Sequence, residues 1–459
     1  MTTWTVNSAF FADLLSNIAD RGRVLLGRGD LAIGAQAVSD ACEDLLSGRG
    51  EASGTAIARE VLDGYARLDA LGRAQFFEAL ADRFGPDHAA LVKAIEDWRA
   101  DPTSERTAEL HFASEPRRQS LFRRLNRAPG GIAALVAMRA DLIALGRTAP
   151  ALKIVDRDLA HLLGSWFNRG FLVLRRIDWS TPALVLEKII RYEAVHEISD
   201  WDELRRRIDP SDRRCYAFFH PALVDEPLIF VEVALTEGIP DAIGPLLAGD
   251  RRPTPIERAR TAVFYSISNC QKGLAGISFG NFLIKQVVEE LRREMPKLET
   301  FVTLSPAPDF MRWAARDADA PLSAEERALV AQAAEPGWAA DAERAAQIRR
   351  VLQPLAAYYF LRAKGPGGKP TDSVARFHLG NGARLERINQ LGDRSAKAMR
   401  ESAGLMVNYL YDLDDIERNH EAFANLGDIA ASSAVRKLLK QDKTWQRLAT
   451  NAAALTGQT

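Results

Sequence analysis

Residues 263–313 read VFYSISNCQKGLAGISFGNFLIKQVVEELRREMPKLETFVTLSPAPDFMRW. Val263, Tyr265 and Ile267 alternate with Phe264, Ser266 and Ser268, the two-residue period of a β-strand. Three glycines follow: Gly273, Gly276 and Gly280. Phe282, Leu283, Val287, Val288 and Leu291 then fall at helical spacing, opposite Lys285, Glu289, Glu290, Arg292 and Arg293. Met295-Pro296 ends that helix, because proline disfavours an α conformation in the residue before it. Residues 299–304 are extended again, and Ser305-Pro306-Ala307-Pro308 breaks them.

A strand that runs through a glycine loop into a helix start has the makings of an anion site. The first N–H groups of a helix have no internal partner, and glycines let a phosphate approach them without a Cβ in the way. The plainer reading is a turn whose glycines serve steric needs. No Gly-Lys-Ser/Thr follows, so the loop is not a P-loop, and its spacing is not the G-x-G-x-x-G of dinucleotide folds.

The stretch resembles the pyrophosphate-binding strand–loop–helix of the GNAT acyltransferase superfamily, which binds coenzyme A. More narrowly, SISNCQKGLAG, FLIK, LSPAPDF, FHLGNGA and GLMVNYLY, in that order, are similar to the malonyl-CoA decarboxylase family. The similarity runs from about Trp166 to Tyr411, and the helical N-terminal part also fits it. It implies two domains: an all-α helical bundle over 1–165, used in oligomerisation, and an α/β (α+β) GNAT-like catalytic domain with a mixed sheet over 166–459.

Composition agrees with a folded, water-facing chain of more than one core. There are 459 residues, 47% hydrophobic and 26% charged, too many for one ordinary domain. A formal net charge of -1 gives no whole-chain field for nucleic acid. Cys42, Cys215 and Cys270 are far apart and lack metal-ligand spacing, which points to a reducing compartment. Cys270, the one near the loop, reads as a small buried residue rather than a reactive thiol. The N-terminus lacks the pattern of a secretory signal, no apolar run reaches membrane-spanning length, and the chain ends without Ser-Lys-Leu. The expectation is a cytoplasmic protein with no membrane and no nucleic-acid partner.

Before Asn168 the pattern is helical throughout. Phe11, Leu14, Leu15 and Ile18 form one stripe; Leu31, Ala35, Val38, Cys42 and Leu45 form another. A single long element is expected over 56–84, and Ile132, Leu135, Met138, Leu142 and Leu145 continue the pattern. Such helices with short breaks pack as a bundle. His88, His111 and His161 are isolated, and Arg117-Arg118 and Arg123-Arg124 read as exposed helical arginines.

From Phe171 the pattern alternates. Strands are expected at 171–175, 216–220 and 228–235, with a helix over 182–195. Arg205-Arg206-Arg207 and Arg213-Arg214 could greet the phosphates of coenzyme A, although a solvated, ion-paired face is the commoner cause of such a cluster. Ser323-Ala-Glu-Glu326 is a capping box, and two helices are expected after it, at 339–352 and from Pro354 to 362.

The resemblance implies decarboxylation of malonyl-CoA to acetyl-CoA and carbon dioxide. The thioester is the electron sink, so no metal or organic cofactor is required. The enolate oxygen needs donors placed in advance, and its carbon needs a proton. His378, in FHLGNGA, is the expected general acid, since histidine can hold or give a proton near neutral pH. The window is read as a short strand entering a turn. A lone histidine beside phenylalanine is more often structural; the family match argues otherwise. Ser305, at the end of ETFVTLS, is its expected partner, orienting substrate rather than attacking it, because no G-x-S-x-G elbow surrounds it. Tyr411, in GLMVNYLY, would position His378 or donate to the enolate. For coenzyme A the expected contacts are Ala275, Gly276, Ile277, Ser278, Phe279, Gly280 and Asn281, through backbone amides, together with Ser305 and His378. Ser278 stands where better-known members of the family carry an acidic residue, which puts any role for a carboxylate there in doubt. Two other functions are open to this sequence: acyl transfer from coenzyme A to an amine, and a non-catalytic acyl-CoA-binding scaffold.

Overall fold

The computed structural model describes residues 34–440 apart from 49, 147, 168, 278–282, 317–319, 321 and 336. The chain divides into two compact units: one takes Met1–Val173 with Phe218–Leu228 and Cys270–Gly280, and the other takes the rest.

The described part of the first unit is built from α1 (Ala35–Leu46), α2 (Glu51–Ala66), α3 (Ala70–Arg83), α4 (His88–Ala100), α5 (Ser104–Ser114), α6 (Arg117–Leu125), α7 (Gly131–Leu145) and α8 (Lys153–Trp166). The single element expected over 56–84 is two helices. Asp69 is extended and accepts the Gly72 N–H, which caps α3 and ends the run from α2. The core is apolar, with Cys42, Ile57, Phe76, Phe122, Leu135 and Leu159 all buried. Arg118 departs from the expected exposure. It is 1% exposed, on the face of α6 packed against α8, and its Nε donates to Asp158 Oδ2 at 2.5 Å. A buried guanidinium needs such a carboxylate to offset its lost hydration.

The glycine loop belongs to this unit. A Cβ on Gly273 would lie 1.8 Å from the Val136 carbonyl oxygen of α7. From the same helix, Arg139 Nη1 donates to the carbonyls of Gly273, at 2.7 Å, and Ala275, at 2.9 Å. Gly276 has φ +76°, the left-handed region that favours glycine. Both described glycines therefore have structural causes, one close packing and the other backbone hand.

The second unit carries a mixed sheet of eight strands: β1 (Val173–Ile177), β2 (Arg213–Phe219), β3 (Pro227–Thr236), β4 (Thr261–Asn269), β5 (Thr300–Thr303), β6 (Ser305–Pro306), β7 (Arg384–Asn389) and β8 (Met406–Leu410). Their order is β1-β2-β3-β4-β5-β8-β6, with β7 also paired to β8. β3 and β4 are antiparallel, β4 and β5 parallel, and β8 runs antiparallel to β5, β6 and β7. Parallel pairing of β4 with β5 is made possible by the crossover helix Leu283–Glu294.

β4 carries one extra residue. Glu232 pairs with Ser266 and Val233 with Phe264, so Tyr265 is a bulge. Glu232 and Val233 point to opposite faces, and so do their partners. Phe264 packs edge-on to Tyr411 at 6.3 Å on one face. On the other face Ser266 donates to both carboxylate oxygens of Glu193, at 2.9 and 2.7 Å. The same face holds the apolar cluster of Ala234, Val263, Tyr265, Val302, Leu304 and Met406.

Two further expectations are corrected. Pro354 lies inside one helix, Ala342–Leu361, rather than starting a second. The cluster expected to be solvated is largely buried, because β2 is covered along its whole length. Arg207 Nη1 meets Glu232 at 2.9 Å, Arg213 Nη2 donates to the Leu246 carbonyl at 2.6 Å, and Arg214 Nε donates to Glu294 at 2.8 Å.

Candidate active site

Alternation along β5 and β6 decides what reaches the site. Val302 and Leu304 enter the apolar cluster; Thr303 and Ser305 point to the opposite face. Leu304 N–H still bonds the Phe264 carbonyl, at 3.0 Å, and Ser305 then pairs with Val407 of β8. Tyr409 lies two residues further along β8 on the same side, and Tyr411 follows it, its N–H on the Phe301 carbonyl at 2.8 Å.

His378 comes to this face from a helix, not from the strand its sequence window suggested. The helix Ser373–Gly380 is capped by Asp372, whose Oδ1 accepts the Ala375 N–H at 2.8 Å. Asn381 closes it, and Gly382 turns the chain away at φ +81°. A polar cap before the window and a left-handed glycine after it outweigh the apparent strand alternation.

The three proposed catalytic side chains form one hydrogen-bonded line. Ser305 Oγ lies 3.1 Å from His378 Nε2, and His378 Nδ1 lies 2.8 Å from the Tyr411 hydroxyl. Ser305 is 5% exposed, and His378 and Tyr411 are 2% exposed. Tyr409 stacks on the imidazole at 4.6 Å and 24°, with Phe377 edge-on at 5.1 Å. Burial alone holds the His378 imidazole down at about 3, and burial pushes the Tyr411 phenol up. At neutral pH His378 is therefore an uncharged imidazole flanked by two hydroxyls.

Of the coenzyme A contacts expected from sequence, Ala275, Gly276 and Ile277 are in the unit built on α1–α8. Ser278, Phe279, Gly280 and Asn281 lie outside the described residues. Three site residues were missed: Thr303, Tyr409 and Asp372. For Thr303 the signal was available, since Thr-x-Ser on a strand places two hydroxyls on one face. Among the described residues, no group of three or more His, Cys, Asp or Glu is placed to hold a metal ion, and no helix is long and apolar enough to cross a membrane.

A buried serine–histidine–tyrosine line on a mixed α/β sheet carries the groups that acid–base enzymes use. Comparison with known proteins makes this specific. Residues 170–449 match the model of the malonyl-CoA decarboxylase C-terminal domain, and residues 84–167 match that of the N-terminal domain. The mitochondrial malonyl-CoA decarboxylase of Anser anser anser is 35% identical over 405 residues, 80% of each chain. That of Rattus norvegicus is 34% identical over 421 residues, 83% of this chain and 84% of its own. The crystal structure of malonyl-CoA decarboxylase from Rhodopseudomonas palustris aligns with TM-score 0.86 and 59% identity, over 88% of this chain and 100% of that one. The Agrobacterium vitis structure gives 0.82 and 58%, over 87% and 99%. The chain belongs to the malonyl-CoA decarboxylase family.

Proposed function

We propose that the chain decarboxylates malonyl-CoA to acetyl-CoA and carbon dioxide, with His378 as the acid and Ser305 and Tyr411 as its hydrogen-bond partners. The observation that carries this reading is the buried line Ser305–His378–Tyr411 in a member of this family. The bond between the carboxylate carbon and the α-carbon breaks, and its electron pair moves into the thioester carbonyl as an enolate. Donors already fixed at the site stabilise that oxygen. The α-carbon then takes a proton from His378, which is refilled from solvent.

The depressed imidazole gives this sequence its timing. Among the described residues no charged side chain offsets the burial of His378. The malonyl carboxylate would be its first counter-ion, and an opposite charge within roughly 4–6 Å favours the protonated form. Once carbon dioxide leaves, that counter-charge has moved to the enolate, and the proton follows it. The Ala275 and Ile277 amides already donate to the Lys272 and Leu274 carbonyls, at 3.1 and 3.0 Å, so these two do not supply the coenzyme A contacts expected of them.

Malonyl-CoA supplied without any acceptor amine tests the reading. Carbon dioxide and acetyl-CoA should appear in equal amounts, whereas an acyltransferase would need the amine. His378→Asn and Ser305→Ala should lose roughly 10²–10⁴-fold in kcat while still binding acyl-CoA. Unchanged turnover in both variants would place the chemistry elsewhere.

Self-association through the helical part and a cytoplasmic location complete the proposal. Helices α4 and α5 pack on one another yet contain no buried residue, and Phe112 is 74% exposed. A second copy of the chain covering this hairpin would bury that surface. Sedimentation of Phe112→Ser against the unmutated protein tests it; identical masses would count against the hairpin.

A further inference from the structure

Thr303 is 0% exposed and lies at the end of the hydrogen-bonded line, beyond Ser305. Its Oγ1 accepts the Ser305 hydroxyl proton at 2.9 Å and the Tyr409 backbone N–H at 3.1 Å. Its carbonyl accepts from Asn408 Nδ2 at 2.8 Å. Threonine is β-branched and stiff about χ1, and both ends of the residue are tied to β8, so the acceptor is fixed in place.

We propose that Thr303 is a positioning residue that fixes the direction of this line, and thereby keeps Ser305 from attacking the thioester. The proposal rests on the assignment of Ser305 and His378 made above. Hydrogen counting gives the direction. A serine hydroxyl has one proton, and here it points at Thr303. Ser305 can then offer His378 only a lone pair, so Nε2 must carry the ring proton toward Ser305. A neutral imidazole has one N–H, so Nδ1 is bare and accepts the Tyr411 proton. The proton-bearing nitrogen thus faces the serine, as delivery to a substrate carbon requires.

The reverse direction would serve a different reaction. With Thr303 unable to accept, the Ser305 proton would turn to an unprotonated Nε2, the arrangement by which histidine activates serine for acyl transfer. Serine Oγ would form a bond to the thioester carbonyl carbon, its proton would pass to Nε2, and the C–S bond would break. The coenzyme A thiolate would leave with that proton, and water would cleave the acyl-serine to malonate. Thr303 accordingly selects between losing carbon dioxide and losing coenzyme A.

Thr303→Val and Thr303→Ser in the full chain separate these fates. Each is given malonyl-CoA, and both carbon dioxide and free thiol are measured. Thr303→Val should lose decarboxylation kcat by about ten- to a hundredfold, with KM changed by no more than about threefold. Its free thiol per carbon dioxide should rise about tenfold or more, the sign of an activated serine. Thr303→Ser, which keeps the acceptor, should stay within about threefold of the unmutated protein in both outputs. Simple loosening of the strand would lower both outputs together, and an unchanged thiol ratio in Thr303→Val would overturn the proposal. Should that variant not fold, ¹⁵N shifts of His378 in the unmutated protein decide: a proton on Nε2 supports the proposal and one on Nδ1 ends it. The underlying assignment fails separately, if Ser305→Ala and His378→Asn keep full turnover.

Discussion

Tyr411 and Ser305 hold opposite edges of one imidazole: the Tyr411 hydroxyl reaches Nδ1 of His378 at 2.8 Å, while Ser305 sits 3.1 Å from Nε2. Because 33 residues separate Tyr411 from His378 in the chain and 73 separate Ser305 from it, they meet only where the helix Ser373–Gly380 packs on the sheet. Tyr411→Phe keeps the ring packed against Phe264 but frees Nδ1 to take the proton. Its kcat should fall by about tenfold or more, short of the roughly 10²–10⁴-fold that removing the acid costs. Steady-state kinetics at pH 7 check this, and a Phe variant at full rate would leave Tyr411 a packing residue only.

His378 also shapes stability against pH. Its folded-state value of about 3 lies below the unfolded value, so the unfolded chain binds the proton first. Stability is full above about pH 6.5 and drains as pH falls toward the folded value, by about 2 kcal/mol at pH 5 from this group alone. His196, held down at about 4 by burial, acts in the same sense, and Asp372, raised to about 6 by burial, acts oppositely. His378→Gln removes only the first contribution. Urea unfolding of the two proteins should therefore show their stability gap moving by about 2 kcal/mol in the variant's favour between pH 7 and 5. Parallel curves would contradict it.

Substrate binding should take up a proton. At neutral pH the free imidazole is uncharged, and a bound malonyl carboxylate would favour its protonated form. A malonyl-CoA analogue that cannot lose carbon dioxide, titrated calorimetrically at about pH 5 in buffers of differing ionisation enthalpy, should show proton uptake that falls away toward pH 7, because one opposite charge moves a titration by only a few pH units. His378→Gln should show none. Equal uptake by both proteins would assign the proton to another group.

Gly273 and Gly276 should differ sharply when changed to alanine. At Gly273 the new methyl meets the Val136 carbonyl at 1.8 Å and pushes away the two carbonyls that Arg139 binds. Overpacking plus two lost charge-assisted hydrogen bonds from Arg139, which keeps its ion pair with Asp156, predicts a loss of about 3 kcal/mol or more. At Gly276 there is room, and only the left-handed backbone resists, at about 1–2 kcal/mol. Thermal melts of both variants measure the contrast; a milder effect at Gly273 would mean that the loop moves off α7 easily.

Ser305, His378 and Tyr411 were each picked out by the family resemblance of their windows rather than by their own pattern, and the sheet and the helix Ser373–Gly380 bring them into one line. The supports were less legible. The window around His378 looks extended because Phe377 and Leu379 flank it, yet Asp372 caps a helix there. β7 was not anticipated, since Arg384, Glu386, Arg387 and Asn389 leave it few apolar positions; they bond within the fold instead, as Arg387 does to Asn408 at 3.0 Å. The basic cluster misled for a related reason. Sequence shows charge but not the distant carboxylates, Glu232 and Glu294, that let Arg207 and Arg214 be buried. The break between α2 and α3 was written in the sequence as Asp69, a capping residue inside an otherwise continuous apolar pattern.

The bulge at Tyr265 makes β4 a strand of two allegiances. Its nine residues would, at regular spacing, send Phe264, Ser266 and Ser268 the same way. One supernumerary residue inverts the parity halfway along, so the aromatic upstream stays with the histidine chamber and the hydroxyls downstream serve a carboxylate on the far side. Ironing the bulge out with all nine residues kept would turn Ser266 and Ser268 toward the thioester and strand Glu193 without its donors. A change of register across the bulge therefore matters more here than a change of side chain at position 265.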